Sequence, residues 1–224
     1  MCSSDLEDDY DLTLSDIIPH PDGTPTIDVD VTDYTQVRDA ARGMDAIINL
    51  TVVRPDPVLS FHVNVRGALN TMKAAAELGI KKVLHTGPEQ VRGGRYDHDF
   101  DLDCPPHMPG TRYYFLTKHL SNEVCRSYAR EHDITTVCFL FNLLSARPTE
   151  PIVGRDFPPY LIVWEDLVHA CKLGLEVESL DENYQDFNLH SHLGQGKFSI
   201  DKARRILGYE PLMPVEDFYR RPTA

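Results

Sequence analysis

The sequence predicts a doubly wound α/β fold, and three observations carry that expectation. Short β-prone runs alternate with helical patterns over the first two thirds of the chain, as crossover units on a parallel sheet require. Ala46-Ile47-Ile48-Asn49-Leu50 is almost wholly apolar, the composition of a strand covered on both faces. No segment repeats, which sets solenoids aside.

Taken in order, Tyr10 to Asp16 alternates apolar and polar residues, ends in a carboxylate and runs into a Pro/Asp/Gly turn. Thr26 to Val31 is a second strand, and Tyr34 to Arg42 a short helix with Asp33 as its N-cap and Gly43 as its stop. After the apolar strand comes a long helix, Leu59 to Leu78, with Val65, Leu69, Met72 and Ala76 at helical spacing and Gly79 closing it. Lys82 to Thr86 is a strand followed by a loop rich in Gly, Pro and Asp. Arg112 to His132 is a second long helix, striped by Leu116, Leu120, Val124 and Tyr128, and Thr136 to Phe141 a strongly β-prone strand. Beyond Asn142 four prolines, Pro148, Pro151, Pro158 and Pro159, mark an irregular stretch. Trp164 to Gly174 is then a helix and Gln185 to Leu189 a late strand; Ser199 caps a last helix that stops at Gly208 and Pro211. The expected organisation is a core over residues 1–142 and a small substrate-facing lobe over 143–224, with no linker between them.

Composition narrows the class of partner. The 224 residues are 42% apolar and 25% charged, a balance typical of a folded chain. The formal charge of −13 argues against nucleic acid, which calls for a basic surface. No apolar run reaches the roughly 20 residues of a membrane helix. The first residues have neither the basic nor the apolar region of a secretory signal. Five dispersed cysteines (Cys2, Cys104, Cys125, Cys138, Cys171) read as reduced thiols, and with them a cytoplasmic location is expected.

The sharpest chemical signal is Tyr114-Phe115-Leu116-Thr117-Lys118. Residues at i and i+4 stand one turn apart on one helix face, so this phenol and ammonium can share a ligand. The ammonium would lower the phenol pKa and make it a proton exchanger while a hydride leaves the same carbon. The same spacing also marks nothing more than a helix face in many chains. His190 and His192 could be two metal ligands, but a strand end supplies no third or fourth. His98, set among Asp97, Asp99, Asp101 and Asp103, reads as an acidic surface loop, and Cys104 as an ordinary loop thiol; no metal is expected.

With these pieces in order, the chain resembles the extended short-chain dehydrogenases/reductases, in particular the NAD-dependent epimerase/dehydratase family. Val29-Asp30-Val31-Thr32-Asp33 is similar to its G-D-hydrophobic-x-D segment, and Ile48-Asn49-Leu50-Thr51-Val52 to its H-L-A-A strand end. Asn64-Val65-Arg66-Gly67 resembles its N-V-x-G, and Phe141-Asn142 its F-N. Leu161 to Asp166 looks like V-H-V-x-D and Leu207 to Pro211 like L-G-Y-x-P. The resemblance implies a Rossmann-like parallel sheet and hydride transfer between a nicotinamide and a sugar-like or other alcohol or ketone. It implies Tyr114 as proton exchanger, Lys118 on the nicotinamide ribose, and Asp30, Val31, Leu50 and Asn64 along the cofactor. Asp16, a carboxylate at the end of the family's second strand, would take the adenosine ribose hydroxyls and favour NAD over NADP. Dimerisation through the two long helices is a further family expectation.

Three departures qualify the resemblance. The first glycine, Gly23, comes after the family's second strand, so the opening strand and its G-x-x-G-x-x-G turn are missing. That strand is central in the 3-2-1-4-5-6 order, so either its neighbours close up, or the fold is compromised, or the natural chain is longer. Aligning Gly93 with the glycine of the family's V-Y-G puts Pro88 where a catalytic Ser or Thr is usual, with Thr86 as the remaining hydroxyl. Phe139 and Ser145-Ala146 replace residues that border the substrate. A truncated, non-catalytic relative serving as a binding or scaffold subunit, or an incomplete gene product, is the alternative.

Overall fold

The computed structural model describes residues 6–88, 109–153, 161–191, 199–212 and 215–220. Gly93, the acidic loop around His98, Cys2, Cys104 and His192 lie outside these residues.

The elements follow the expected order. β1 (Leu14–Asp16) and β2 (Thr26–Asp28) precede α1 (Tyr34–Ala40) and β3 (Ala46–Asn49). One turn at Pro57–Leu59 leads into a π-helical stretch, Ser60–Arg66, which continues as α2 (Gly67–Leu78). Then come β4 (Lys82–Gly87), α3 (Tyr113–His132), β5 (Thr135–Leu140), β6 (Leu143–Ser145), β7 (Ile152–Val153) and β8 (Leu161–Val163). α4 (Trp164–Glu176), β9 (Tyr184–Asn188), α5 (Asp201–Leu207) and β10 (Tyr219–Arg220) complete the chain.

Local chemistry explains the boundaries. The Asp33 carboxylate accepts from the Thr35 and Gln36 amides, satisfying two donors that a helix start leaves open. Gly79, at φ +75°, ends α2 in the left-handed region as Ile80 N returns to Ala75 O at 2.9 Å. The long helix expected from Leu59 therefore forms, but its first two turns are π-helical over Ser60–Arg66. Periodicity is nearly blind to that difference, because the apolar face persists through the widened turns.

β3, β4, β5 and β9 form one four-stranded sheet, every pair parallel. Alternation along β4 and β5 splits the core. Val83, Cys138 and Leu140 pack with Met72, Ala75, Cys125 and Ala129 of α2 and α3, while Leu84, Val137 and Phe139 pack with Leu167, Cys171, Ala203 and Leu207 of α4 and α5. Helices thus cover both faces of a parallel sheet, and β9 from the C-terminal part pairs with β5 of the core. Around the proline-rich stretch, β6 pairs with β8 and β7 with β10, in strands of two or three residues that propensity cannot detect.

β1 pairs only with β2 among the described residues, and β3 only with β4. The two strands do not close up on each other. β3 is therefore a sheet edge, and Ala46, Ile47 and Ile48 are half-buried rather than covered on both faces as their composition suggested. The β1–β2 unit is joined to the rest through the preceding segment, where Leu6, Tyr10 and Leu12 pack into the core, through α1, and through Val31, which packs so closely on Gly67 that a Cβ there would lie 2.9 Å from both Val31 methyl carbons.

Candidate active site

Tyr114 and Lys118 lie in the first turns of α3, opposite the segment that follows β3. Lys118 is 2% exposed. Its Nζ donates to the Thr51 carbonyl at 3.0 Å, its one hydrogen bond among the described residues. An ammonium has three protons to give, so two donors remain for a ligand.

The Thr51–Arg54 segment is fixed from several sides. Asn49 Oδ1 accepts from Thr51 N at 3.1 Å and from Thr51 Oγ1 at 2.7 Å. Asn64, buried in the π-helical stretch, accepts from Val53 N at 2.9 Å and donates to Val53 O at 2.8 Å. The same amide donates to Thr117 Oγ1 at 2.9 Å, and Thr117 donates to Tyr113 O at 2.7 Å. Ser60 Oγ adds a bond to Val53 O at 3.2 Å. One buried asparagine therefore ties the loop after β3 to the helix that carries the phenol and the ammonium. At the end of this segment the Arg54 guanidinium lies 5.2 Å from the centre of the Tyr114 ring.

Electrostatics follow from burial more than from pairing. Burial pushes the Lys118 ammonium down to about 8, helped by the Arg54 charge and opposed by the Cys138 and Cys125 thiols. Burial raises the Tyr114 phenol above 10.0, while the Arg54 charge and hydrogen bond pull it back. The cation that favours the phenolate here is Arg54; Lys118 is not among the groups that shift Tyr114, contrary to the expectation from i,i+4 spacing. At neutral pH Tyr114 therefore holds its proton.

A histidine that sequence reasoning passed over lies behind Lys118. His85 Nε2 is 3.0 Å from Ser121 Oγ, and Ser121 spends its own proton on Lys118 O at 2.8 Å. The serine must accept, so the bond network puts the imidazole proton on Nε2 and leaves Nδ1 a buried acceptor with no partner among the described residues. Burial and the Lys118 charge keep this ring well below 6.5, hence neutral.

The other sequence candidates divide. Leu50, 39% exposed, precedes Thr51 at the rim of this cluster, and Asn64 is inside it. Thr86 is buried near the end of β4 with Phe139 as its strand partner. Pleating puts it on the face of Leu84 and Phe139, away from His85 and α3, and no hydrogen bond joins it to Tyr114 or Lys118 among the described residues. Pro88 follows, buried. Asp16, the last residue of β1, and Asp30, two residues beyond β2, lie apart from the cluster. Asp16 Oδ1 accepts from Ile17 N at 2.7 Å and Ile18 N at 3.3 Å, and Asp30 Oδ1 from Thr32 N at 2.8 Å. Val31 O accepts from Asn70 Nδ2 at 2.9 Å, which makes Val31 a seam residue as well as a cofactor candidate. Among the described residues no three His, Cys, Asp or Glu side chains gather as a metal site.

Thr51, Arg54 and His85 are the additions of the structure. The R-P-D-P run beginning at Arg54 marks a loop in the sequence, but nothing local says that it crosses over α3.

Comparison with known proteins gives the family and the fold. The profile of the NAD dependent epimerase/dehydratase family matches residues 4–183. NAD-dependent glucose-6-phosphate dehydrogenase from Haloferax volcanii is 28% identical, over 92% of this chain and 86% of its own length. Among solved structures, glucuronic acid dehydrogenase from Chromohalobacter salexigens superposes with a TM-score of 0.78 at 19% identity, covering 96% of this chain and 80% of that one. Uronate dehydrogenase from Agrobacterium tumefaciens, complexed with NAD, gives 0.76 at 18% identity, with 92% and 77% covered. At such identities the superpositions speak for the Rossmann-like α/β fold. The family match covers most of the chain, and the chain belongs to the NAD dependent epimerase/dehydratase family.

Proposed function

We propose that the chain is an NAD-linked oxidoreductase of sugar-like alcohols or ketones in which Tyr114 exchanges the substrate hydroxyl proton. The observation that carries this reading is the buried Lys118 ammonium, anchored to Thr51 with two protons unused among the described residues, one turn from a phenol at the rim of the same cluster. A buried charge with unmet donors is costly unless a ligand completes it, and vicinal ribose hydroxyls suit that need. Lys118 would hold the nicotinamide ribose, Asp16 and Asp30 the adenosine end, Asp16 disfavouring a 2′-phosphate. When bound, a nicotinamide supplies the hydride-accepting ring.

The chain's own task is the proton. In reduction, Tyr114, protonated at neutral pH, donates to the oxygen that gains electrons. In oxidation Tyr114 must first release its own proton to solvent, a step the Arg54 charge favours, and the phenolate so formed receives the substrate hydroxyl proton. Asn64 keeps the Thr51–Arg54 segment against α3, so that the cation and the Lys118 anchor keep their places. The names of the relatives, a sugar phosphate dehydrogenase and uronate dehydrogenases, support a sugar substrate.

A second reading, a non-catalytic binding or scaffold relative, has its own observations: β1 and β3 are unpaired with each other, and Pro88 occupies a position where a hydroxyl is usual. Calorimetric titration with NAD and NADP, followed by absorbance of reduced nicotinamide over a panel of aldoses, separates the two. The oxidoreductase binds NAD more tightly than NADP and reduces it; absence of both binding and reduction leaves the scaffold reading.

A further inference from the structure

We infer that Arg54 is the anion-recognition residue of this site, taking a phosphate or carboxylate carried by the sugar substrate. The inference rests on the oxidoreductase reading and adds the class of substrate to it. The chain is strongly acidic, and five of its arginines meet carboxylates: Arg38 and Arg42 meet Asp39, Arg126 meets Glu123, Arg130 meets Glu182, and Arg204 meets Asp201 and Glu210, whereas Arg66, Arg112 and Arg147 do not among the described residues. Arg54 has no carboxylate partner among the described residues. It is exposed, and its guanidinium rests on the Tyr114 ring instead, 5.2 Å from the centroid.

The nearest acid in sequence is already committed. Asp56 Oδ1 accepts from Leu59 N at 2.7 Å as the N-cap of the following turn. Pro55 biases Arg54 toward an extended backbone, and the bonds from Asn64 and Ser60 to Val53 fix the residue before it. The result is a cation on an anchored backbone, beside the proton-exchanging phenol, with its planar fork of donors available. That fork matches the paired oxygens of a phosphate or a carboxylate, and the donors not spent on Tyr114 can make charge-assisted hydrogen bonds to them while the cation keeps its place beside the phenol. An anionic sugar held there presents its hydroxyls next to Tyr114, whereas the neutral parent sugar gains nothing from Arg54.

Isothermal titration of the full chain with glucose 6-phosphate, glucuronate and glucose, with and without saturating NAD, tests this on wild type, Arg54→Gln and Arg54→Lys. The expected result is that one of the two anions binds wild type more tightly than glucose, and that Arg54→Gln weakens it roughly tenfold to a hundredfold. Glucose should be indifferent to the change, and Arg54→Lys should recover part of the loss. Which anion responds distinguishes a phosphate from a carboxylate source. Equal anion binding by wild type and Arg54→Gln, or no binding of either anion by wild type, overturns the inference. Failure of the underlying reading shows elsewhere, as turnover that survives Tyr114→Phe.

Discussion

The segment after β3 and the β1–β2 pair are built to opposite standards. The first is cross-tied by Asn49, Ser60 and Asn64 to two helices, over a buried lysine and a neutral buried histidine. The second consists of two three-residue strands, with Ile27 exposed in β2 and Ile17 and Ile18 exposed just past β1, and the Asp16 and Asp30 carboxylates accept only from amides one or two residues away among the described residues. The contrast teaches where preorganisation has been placed. The groups that would handle a proton are fixed before any ligand arrives, whereas the carboxylates that would handle an adenosine stand at or beyond exposed strand ends, on a unit tied to the core through Val31, α1, α2 and residues 6–12.

Perturbing each region should expose that difference in graded steps. Asn64→Ala strips Val53 N of its partner, leaves Val53 O with Ser60 Oγ alone and frees the loop from α3. A loss of about 2.5 kcal/mol in urea unfolding is expected, the scale of one stranded group and two lost hydrogen bonds. A loss under 0.5 kcal/mol would show the loop to be held without it.

Lys118→Met should stabilise the fold at neutral pH by about 2 kcal/mol while abolishing turnover. The ceiling is the drop from 10.5 to about 8 at 1.36 kcal/mol per unit, less the bond to Thr51. The sign follows from the protons. Below pH 8 both states carry the ammonium, and the native state bears the full cost of burying it. Between about 8 and 10.5 the native state releases the proton while the unfolded state keeps it, so wild-type stability rises relative to Lys118→Met and the gap closes. Denaturant melts of the two proteins across that range check it; a constant gap would contradict it.

At the seam, Gly67→Ala puts a Cβ 2.9 Å from two Val31 methyl carbons. Overpacking outweighs the better helix propensity of alanine by about 1 kcal/mol, and the thermal midpoint falls. On the exposed unit, Asp16→Asn should change stability by less than about 0.5 kcal/mol, yet narrow the preference for NAD over NADP in titration. A large stability loss there would erase the contrast between the two regions.

Much of this was legible in the sequence because it is written locally. Asp33 caps α1, Gly79 turns the chain out of α2, and period and composition mark β4, β5 and both long helices. Tyr114 and Lys118 could be paired because four residues on a helix is a local distance. What the sequence hid is long-range. The Arg54 contact to Tyr114 and the Asn64 bonds join segments tens of residues apart, and no propensity encodes them. His85 looked like one more strand residue until pleating turned it toward Ser121, and the same pleating turned Thr86 away. The cation expected to act on the phenol was the near one in sequence, Lys118, while the structure uses Arg54, near only in space.

The most direct test of the account is the rate of NAD reduction by wild type and Tyr114→Phe on the same sugar substrate, with cofactor binding measured alongside. The phenylalanine variant should fold and bind NAD as wild type does, while its turnover falls roughly a hundredfold to ten-thousandfold. Equal rates from the two proteins would contradict the assignment of the proton to Tyr114.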